Sequence, residues 1–485
     1  MKLTIKYKVL LSFVALSLFG AGCKKVDFGD TNIDPNRTTA PITSALLTNV
    51  LAGFGNNTWD QGGVRTVSGL YAQYYTETQY TEASRYAKQT FNWDGFYAGA
   101  LYDLQNIINY NSDPATAEKA ALNGSNNNQI AVARIIKAYY FWWMTDVWGD
   151  LPYSQALKGV GAITYDAQEA IYPDLLKELK EAGAQFDGGL PAAGDIMYNG
   201  DISKWKKFAN SLRMLVALRL SKADPATGKS EFASALADPA GSIEDNSDNA
   251  QIVYPGGNFQ NPFYNYYNVV KRDDYSIAKT LMDWLNGHND DRNLAFGTSN
   301  VGFPYGLTRD NAVAFANANP TYSRLLDPNT VGAESAPMVV VGAAHMLFAR
   351  AEAANLGWTG ETVATLYNNA IDQSWSQWGV YDATDIANYK ANSDVNLAGG
   401  SVDQKIATQQ WISWFPNGVQ GWSVWRKTGY PVLTAAPGTT TGIPRRQNYG
   451  TNEPQLNGAN YAPAAAKYSD GSGDNSQFVK IWWDK

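Results

Sequence analysis

The 485-residue sequence holds two histidines, one cysteine and only 17% charged residues. Each shortage removes a class of chemistry. With His288 and His345 alone, there is no HExxH helix and no Cys/His spacing that would hold zinc. A Ser-His-Asp triad would have to use one of those two histidines, and no GxSxG elbow is present. His345 lies in the apolar stretch AAHMLFARAEAA and reads as a satisfied core residue, whereas His288 in LNGHNDDRN reads as a surface loop residue. The single Cys23 rules out an intramolecular disulfide. Lys and Arg (38) are outnumbered by Asp and Glu (45) and form no cluster, which argues against nucleic acid. ATGKS ends like a phosphate loop, but Ala223 stands where its first glycine should be and no strand precedes it. No cofactor is expected.

After the first 22 residues no apolar run approaches membrane-spanning length. Those 22 residues read as a signal segment. Lys2, Lys6 and Lys8 precede the apolar stretch Val9 to Phe19, and small residues 20–22 lead into Cys23. A cysteine placed there is expected to be cleaved and acylated, as in a bacterial lipoprotein, although Gly20 departs from the usual leucine. Several acyl chains at about 0.8 kcal/mol per buried CH₂ would anchor the chain without a transmembrane helix. Loss of this segment, with three lysines and no acid, leaves a net charge near −10 from the −7 of the whole. The expected organisation is a signal peptide at 1–22, a lipidated tether at 23–45 broken by Pro35 and Pro41, and one domain at 46–485.

What is abundant is aromatic and glycine-rich. Phe, Trp and Tyr make up 13% of the chain, and there are 43 glycines. Helical periodicity governs several stretches. In ISKWKKFANSLRMLVALRLSKAD, Trp205, Phe208, Leu212, Leu215 and Val216 share a face, and Ser203 is the expected N-cap. Ile171, Leu175, Leu179, Ala182 and Phe186 form a second stripe, with Asp166 and Glu169 as a capping pair. Residues 338–378 predict a helix, the turn GWTGE and another helix, with Val363, Tyr367 and Ala370 at tetratricopeptide-like spacing. The run YYFWWMTDVWGDLPYSQ (139–155) follows IAVARIIKA, so its helix is apolar all round. Neighbouring rings point about 100° apart and cannot form one flat platform, which makes the run core rather than binding surface. Gly149 and Pro152 end it.

Between the helices lie long segments, 56–94, 254–276, 296–336, 379–403 and 434–475, too aromatic for disorder. The fold class is therefore mainly α, a helix-pair scaffold with a large loop-rich lobe. Flat rings pack against sugar C–H groups while amides and charged groups satisfy hydroxyls. NNTWDQGG (56–63), YAQYYTETQYTEASRY (71–86), NFQNPFYNYYN (258–268) and GFPYG (302–306) carry that mixture. The same rings also serve to pin irregular loops. EDNSDN (244–249) and SDGSGDN (469–475) offer clustered oxygens that could hold Ca²⁺ but read as solvated turns, so no metal is expected.

A series of motifs then runs in order along the chain. DTNIDPN (30–36) is followed by ARIIKAYYFWWMTDVWGDLPYSQAL (133–157), YNGDISKWKKFANSLRMLVALRLS (198–221), NSDNAQIVYP (246–255) and RDDYSIAKTLMDWL (272–285). HMLFARAEAANLGW (345–358), WSVWRKTGYPVL (422–433), GIPRRQNYGTNE (442–453) and IWWD (481–484) complete it. Together they resemble the SusD/RagB-type outer-membrane nutrient-binding lipoproteins, in the SusD-like second subfamily. The resemblance implies four tetratricopeptide-like helix pairs against a loop-rich lobe. It also implies non-enzymatic capture of nutrient, usually glycan, outside the cell for a SusC-like TonB-dependent transporter, on whose barrel the protein sits as a lid.

The shared motifs are scaffold residues, so ligand contacts do not carry over from them. From the chemistry of the loops, the candidate contacts are Trp59, Tyr74, Gln79, Tyr80, Arg85, Tyr264, Tyr266 and Tyr305. Two alternatives stay open. A peptide ligand for the same kind of transporter would expect a wider, less aromatic cavity. An exported all-α glycoside hydrolase would need two facing carboxylates in an aromatic cleft, and local sequence marks no such pair.

Overall fold

In the computed structural model, residues 41–159 and 161–485 are described. The signal segment, Cys23 and the tether up to residue 40 lie outside them. The scaffold is built from helices α1 (Thr43–Ala52), α2 (Val64–Tyr71), α3 (Tyr102–Ser112), α4 (Asn126–Trp148), α5 (Gln168–Gln185), α6 (Ile202–Arg219), α7 (Pro225–Leu236), α8 (Ala343–Asn355), α9 (Val363–Gln377), α10 (Val402–Ser413) and α11 (Gly418–Thr428). Four hairpins of adjacent helices, α4/α5, α6/α7, α8/α9 and α10/α11, form its repeating unit among the described residues. This is the helix-pair architecture the sequence implied, and residues 42–485 cluster as one unit.

Helix α4 is buried along its whole second half, with Tyr139 to Trp143 all at most 4% exposed. Its rings face different neighbours. Tyr139 packs on Phe54 at 4.9 Å, and Trp143 meets Phe96 edge-on at 5.1 Å. Gly149, at φ 85°, ends the helix and turns the chain into the short strand Leu151–Pro152, which pairs with Tyr165–Asp166. Two capping expectations are corrected. Asp201, not Ser203, caps α6 by accepting from the Ser203 and Lys204 amides. Asp166 does not cap α5, because its carboxylate accepts instead from the Tyr153 and Ser154 amides.

Five of the ordered motifs meet in one buried knot beneath α4. Asp146, fully buried, takes hydrogen bonds from the Tyr172 hydroxyl and from Trp483 Nε1 at 2.8 Å, and pairs with Arg219 at 3.2 Å. The Arg426 guanidinium lies 3.7 Å from the Trp422 ring centroid and donates to the Asp146 and Arg445 carbonyls. Arg445 in turn grips Asp484. A carboxylate sealed from water persists only with such partners, so residues hundreds of positions apart are required together.

His345 is a core residue, as its sequence setting suggested. Its Nδ1 accepts from the Gly342 amide at 2.9 Å, its Nε2 faces the Ser413 carbonyl at 2.9 Å, and the ring stacks on Trp414. Burial pushes its pKa down to about 4. His288 is half-buried at a helix end, stacked 3.8 Å from Trp284. No helix among the described residues is long and apolar enough to cross a membrane.

Candidate ligand-binding site

A short antiparallel ribbon organises the loop lobe. Strand β1 (Tyr75–Glu77) pairs with β2 (Tyr275–Ile277) in the register Tyr75↔Ile277, Thr76↔Ser276 and Glu77↔Tyr275. Bulky aromatic and β-branched side chains favour this extended pairing. Segments 71–86 and 258–277, separate in sequence, thereby become neighbours. The Gly306 amide donates to Thr76 Oγ1 at 3.3 Å, which ties the GFPYG loop to the same ribbon. Glu77 is buried at the ribbon's end, and desolvation pushes its pKa up to about 7 although Ser84 donates to it.

The eight sequence candidates fall into three groups here. Tyr80 alone presents a largely open ring, 47% exposed, with the guanidinium carbons of Arg309 and Arg272 at 5.5 and 5.8 Å from its centroid. Gln79 beside it donates to Asp274 at 3.0 Å, and Tyr264 is half-buried. Arg85 spends its Nη1 on the carbonyls of Gly306 (2.7 Å) and Pro437 (2.9 Å), so it pins two loops. Tyr305 is buried behind it.

The remaining three are core in this conformation. Tyr74 is fully buried and gives its hydroxyl to the Trp411 carbonyl. Trp59, also without exposed surface, stacks on Phe263 at 4.4 Å. Tyr266 packs edge-on against Trp59 at 5.1 Å and accepts from the Asp274 amide at 2.7 Å. These rings are large enough to repay burial, and their loops use them as anchors.

Above Trp59 lies a cleft of about 490 Å³ formed by the 56–65 and 254–265 segments. The ring it offers to solvent is Phe259, which packs on Tyr254 at 4.8 Å, and amides from Asn56, Gln61, Asn258 and Asn265 surround it. Both segments carry the amide and ring mixture seen in the sequence, but Phe259 itself has no local signal to prefer it over Trp59. The one carboxylate in the lining, Asp60, accepts from the Arg65 and Thr66 amides at the start of α2. Beneath the surface Trp59, Tyr266 and Asp274 each touch the next, a buried chain of contacts from the cleft floor to the exposed Arg272 beside Tyr80.

A smaller cleft of about 280 Å³ holds Asp94 and Glu453 with Trp93 and Tyr97. Glu453 accepts from Trp93 Nε1 at 2.9 Å and from the Tyr165 hydroxyl, and burial raises its pKa. Asp94 accepts from Asn452 at 2.6 Å. The two acidic loops noted for calcium hold themselves together. Asp248 pairs with Lys207 at 2.7 Å, and Asp470 accepts from the Ser472 amide at 3.0 Å. Among the described residues no three His, Cys, Asp or Glu side chains gather to hold a metal ion.

The SusD-like family profile described as starch-binding and associating with the outer membrane matches residues 35–450. The chain belongs to this SusD-like family. A chitin-binding protein superposes with a TM-score of 0.76 at 28% identity, covering 91% of this chain and 99% of its own. A chitin-binding SusD homologue from Flavobacterium johnsoniae gives 0.74 at 24%, covering 90% and 98%. A SusD homologue from Parabacteroides distasonis gives 0.77 at 21%, covering 92% and 98%. A search of curated proteins returned no match. As a SusD-like chain, this protein falls in a family of glycan-binding proteins of the outer membrane, and its helix pairs and lobe are the family's fold.

Proposed function

We propose that the chain is a glycan-capture lipoprotein on the cell surface, held by an acylated Cys23, that delivers oligosaccharide to a SusC-like TonB-dependent transporter. Sugar would stack on Tyr80 and extend toward the Phe259 cleft, with Tyr264, Gln79, Arg309 and the cleft amides meeting its hydroxyls. The observation that carries this is the open Tyr80 ring, flanked by guanidinium groups. The family's starch-binding description and the 28% identical chitin-binding protein support a polysaccharide ligand of neutral sugars. Tethering on one membrane raises effective concentration, so weak stacking sites suffice. Opening and closing of the lid on the barrel would then gate uptake.

The reading involves no covalent step. The lobe cleft holds the single carboxylate Asp60, already committed to two backbone amides. The Asp94 and Glu453 cleft sets two acids beside aromatic rings, yet both carboxylates already hold hydrogen bonds within the protein. Affinity electrophoresis through starch and glycol chitin, with Tyr80→Ala and Phe259→Ala, tests the site. Retardation of the parent chain and its weakening in the double variant are expected, with no reducing sugar released. Release of sugar that Glu453→Gln abolishes would replace capture with hydrolysis. Retardation unchanged in a folded double variant would remove the site. Co-purification with a TonB-dependent transporter tests the partner.

A further inference from the structure

The helical scaffold contains a second cavity, of about 510 Å³, that shares no lining residue with the lobe cleft. His345 of α8, Trp378 just after α9, and Trp414, Phe415 and Pro416 between α10 and α11 form its walls, and residues 330–339 close it. Its volume lies within the range of small-ligand sites.

Three features say what it would accept. First, no Asp, Glu, Lys or Arg lines it, and His345, donating from Nε2 and accepting at Nδ1, is satisfied as the neutral ring. A charged ligand would lose its hydration and find no counter-ion there. Second, the lining offers uncharged donors and acceptors, the Gln251 and Gln377 amides and the Thr330 and Ser335 hydroxyls. Third, the walls are flat rings held rigidly by their own stacking. Trp414 lies 3.7 Å from His345 at 16°, and Phe415 lies 4.3 Å from Phe296 at 23°. Donor, acceptor and flat apolar faces without charge are the complement of a sugar ring.

We propose that this cavity is a second saccharide site, taking an uncharged sugar unit against Trp378 with its hydroxyls on the Gln251, Thr330 and Ser335 side chains, distinct from the Tyr80 face. The two sites back onto one wall. Asn261 donates to the Ala336 carbonyl and its amide to the Glu334 carbonyl, both at 2.9 Å, while its neighbours Gln260 and Pro262 line the lobe cleft. A long neutral glycan therefore has two places to be held on one molecule.

The test is calorimetric titration of the full exported chain, in a Cys23→Ser background, with maltose and chitobiose. Digalacturonate and the glucosamine disaccharide serve as charged controls. Neutral binding is expected to survive Tyr80→Ala with Phe259→Ala and, in that background, to weaken at least tenfold in Trp378→Ala. Trp378→Phe, which keeps a smaller ring, should give an intermediate loss. Because core variants can misfold, Ser376→Cys, exposed at the rim, is labelled with a bulky maleimide and should abolish the binding that survives Tyr80→Ala with Phe259→Ala. Titration curves unaffected by the label, preference for a charged disaccharide, or no neutral binding at millimolar concentration would overturn the proposal. Loss of all binding in the Tyr80 and Phe259 variant would leave only the lobe site standing. Loss of all binding on labelling would leave only this one.

Discussion

Replacing His345 with Gln should change how the protein's stability depends on pH, and the structure sets both sign and size. The folded ring is neutral, because burial pushes its pKa down to about 4 and its Nδ1 is needed as acceptor for the Gly342 amide. An unfolded histidine titrates near 6.5. Between those values the unfolded chain binds a proton that the native chain does not. Stability therefore rises with pH across this window and is lost as pH falls from about 6.5 toward 4. At ~1.4 kcal/mol per pH unit this amounts to about 3 kcal/mol. Glutamine keeps a donor for the Ser413 carbonyl and an acceptor for Gly342 but does not titrate. Urea unfolding at half-unit steps from pH 7.5 to 4 should show the variant losing less stability than the parent, so that their difference moves by about 3 kcal/mol in the variant's favour. Parallel profiles would mean the native ring takes up its proton as readily as the unfolded one, and the buried-neutral account would be wrong.

Glu77 predicts the mirror image. Its pKa, pushed up to about 7 by burial, makes the parent lose stability as pH rises from about 4.5 to 7, so Glu77→Gln should gain on it by about 3 kcal/mol above pH 7 in the same urea series. Tyr80→Ala, at an exposed position, should lower glycan affinity about fivefold to tenfold by titration while leaving unfolding within ~0.5 kcal/mol. Arg292→Met strands the fully buried Asp290 and should cost about 3–5 kcal/mol, much of it recovered when Asp290→Asn is added; a double-mutant cycle measures the coupling. A Cβ at Gly418 would sit 2.2 Å from the Gly69 amide nitrogen where α11 crosses α2, so Gly418→Ala should cost about 3 kcal/mol, read as a lowered urea midpoint.

Helix content, the burial of Tyr139 to Trp143 and the core role of His345 were legible in the sequence, because periodicity and local composition are properties of contiguous residues. The ordered motifs added the helix-pair architecture, and Asp146 shows why they travel together, since Arg219, Arg426 and Trp483 beside it come from three of them. The candidate contacts were legible only as stretches. Amide and aromatic composition marked the right loops, yet it could not separate Trp59, sealed against Phe263, from Phe259, open above it. That choice depends on which ring the opposing loop covers, and the opposing loop arrives through the pairing of Tyr75–Glu77 with Tyr275–Ile277 across some two hundred residues. The scaffold cavity has the same origin. Gln251, Ser335, Trp378 and Trp414 lie far apart in sequence, and only tertiary packing brings them around one cavity. Sequence alone determined what each segment had to bury; the fold decided what it left exposed, because exposure is set by partners that sequence proximity does not reveal.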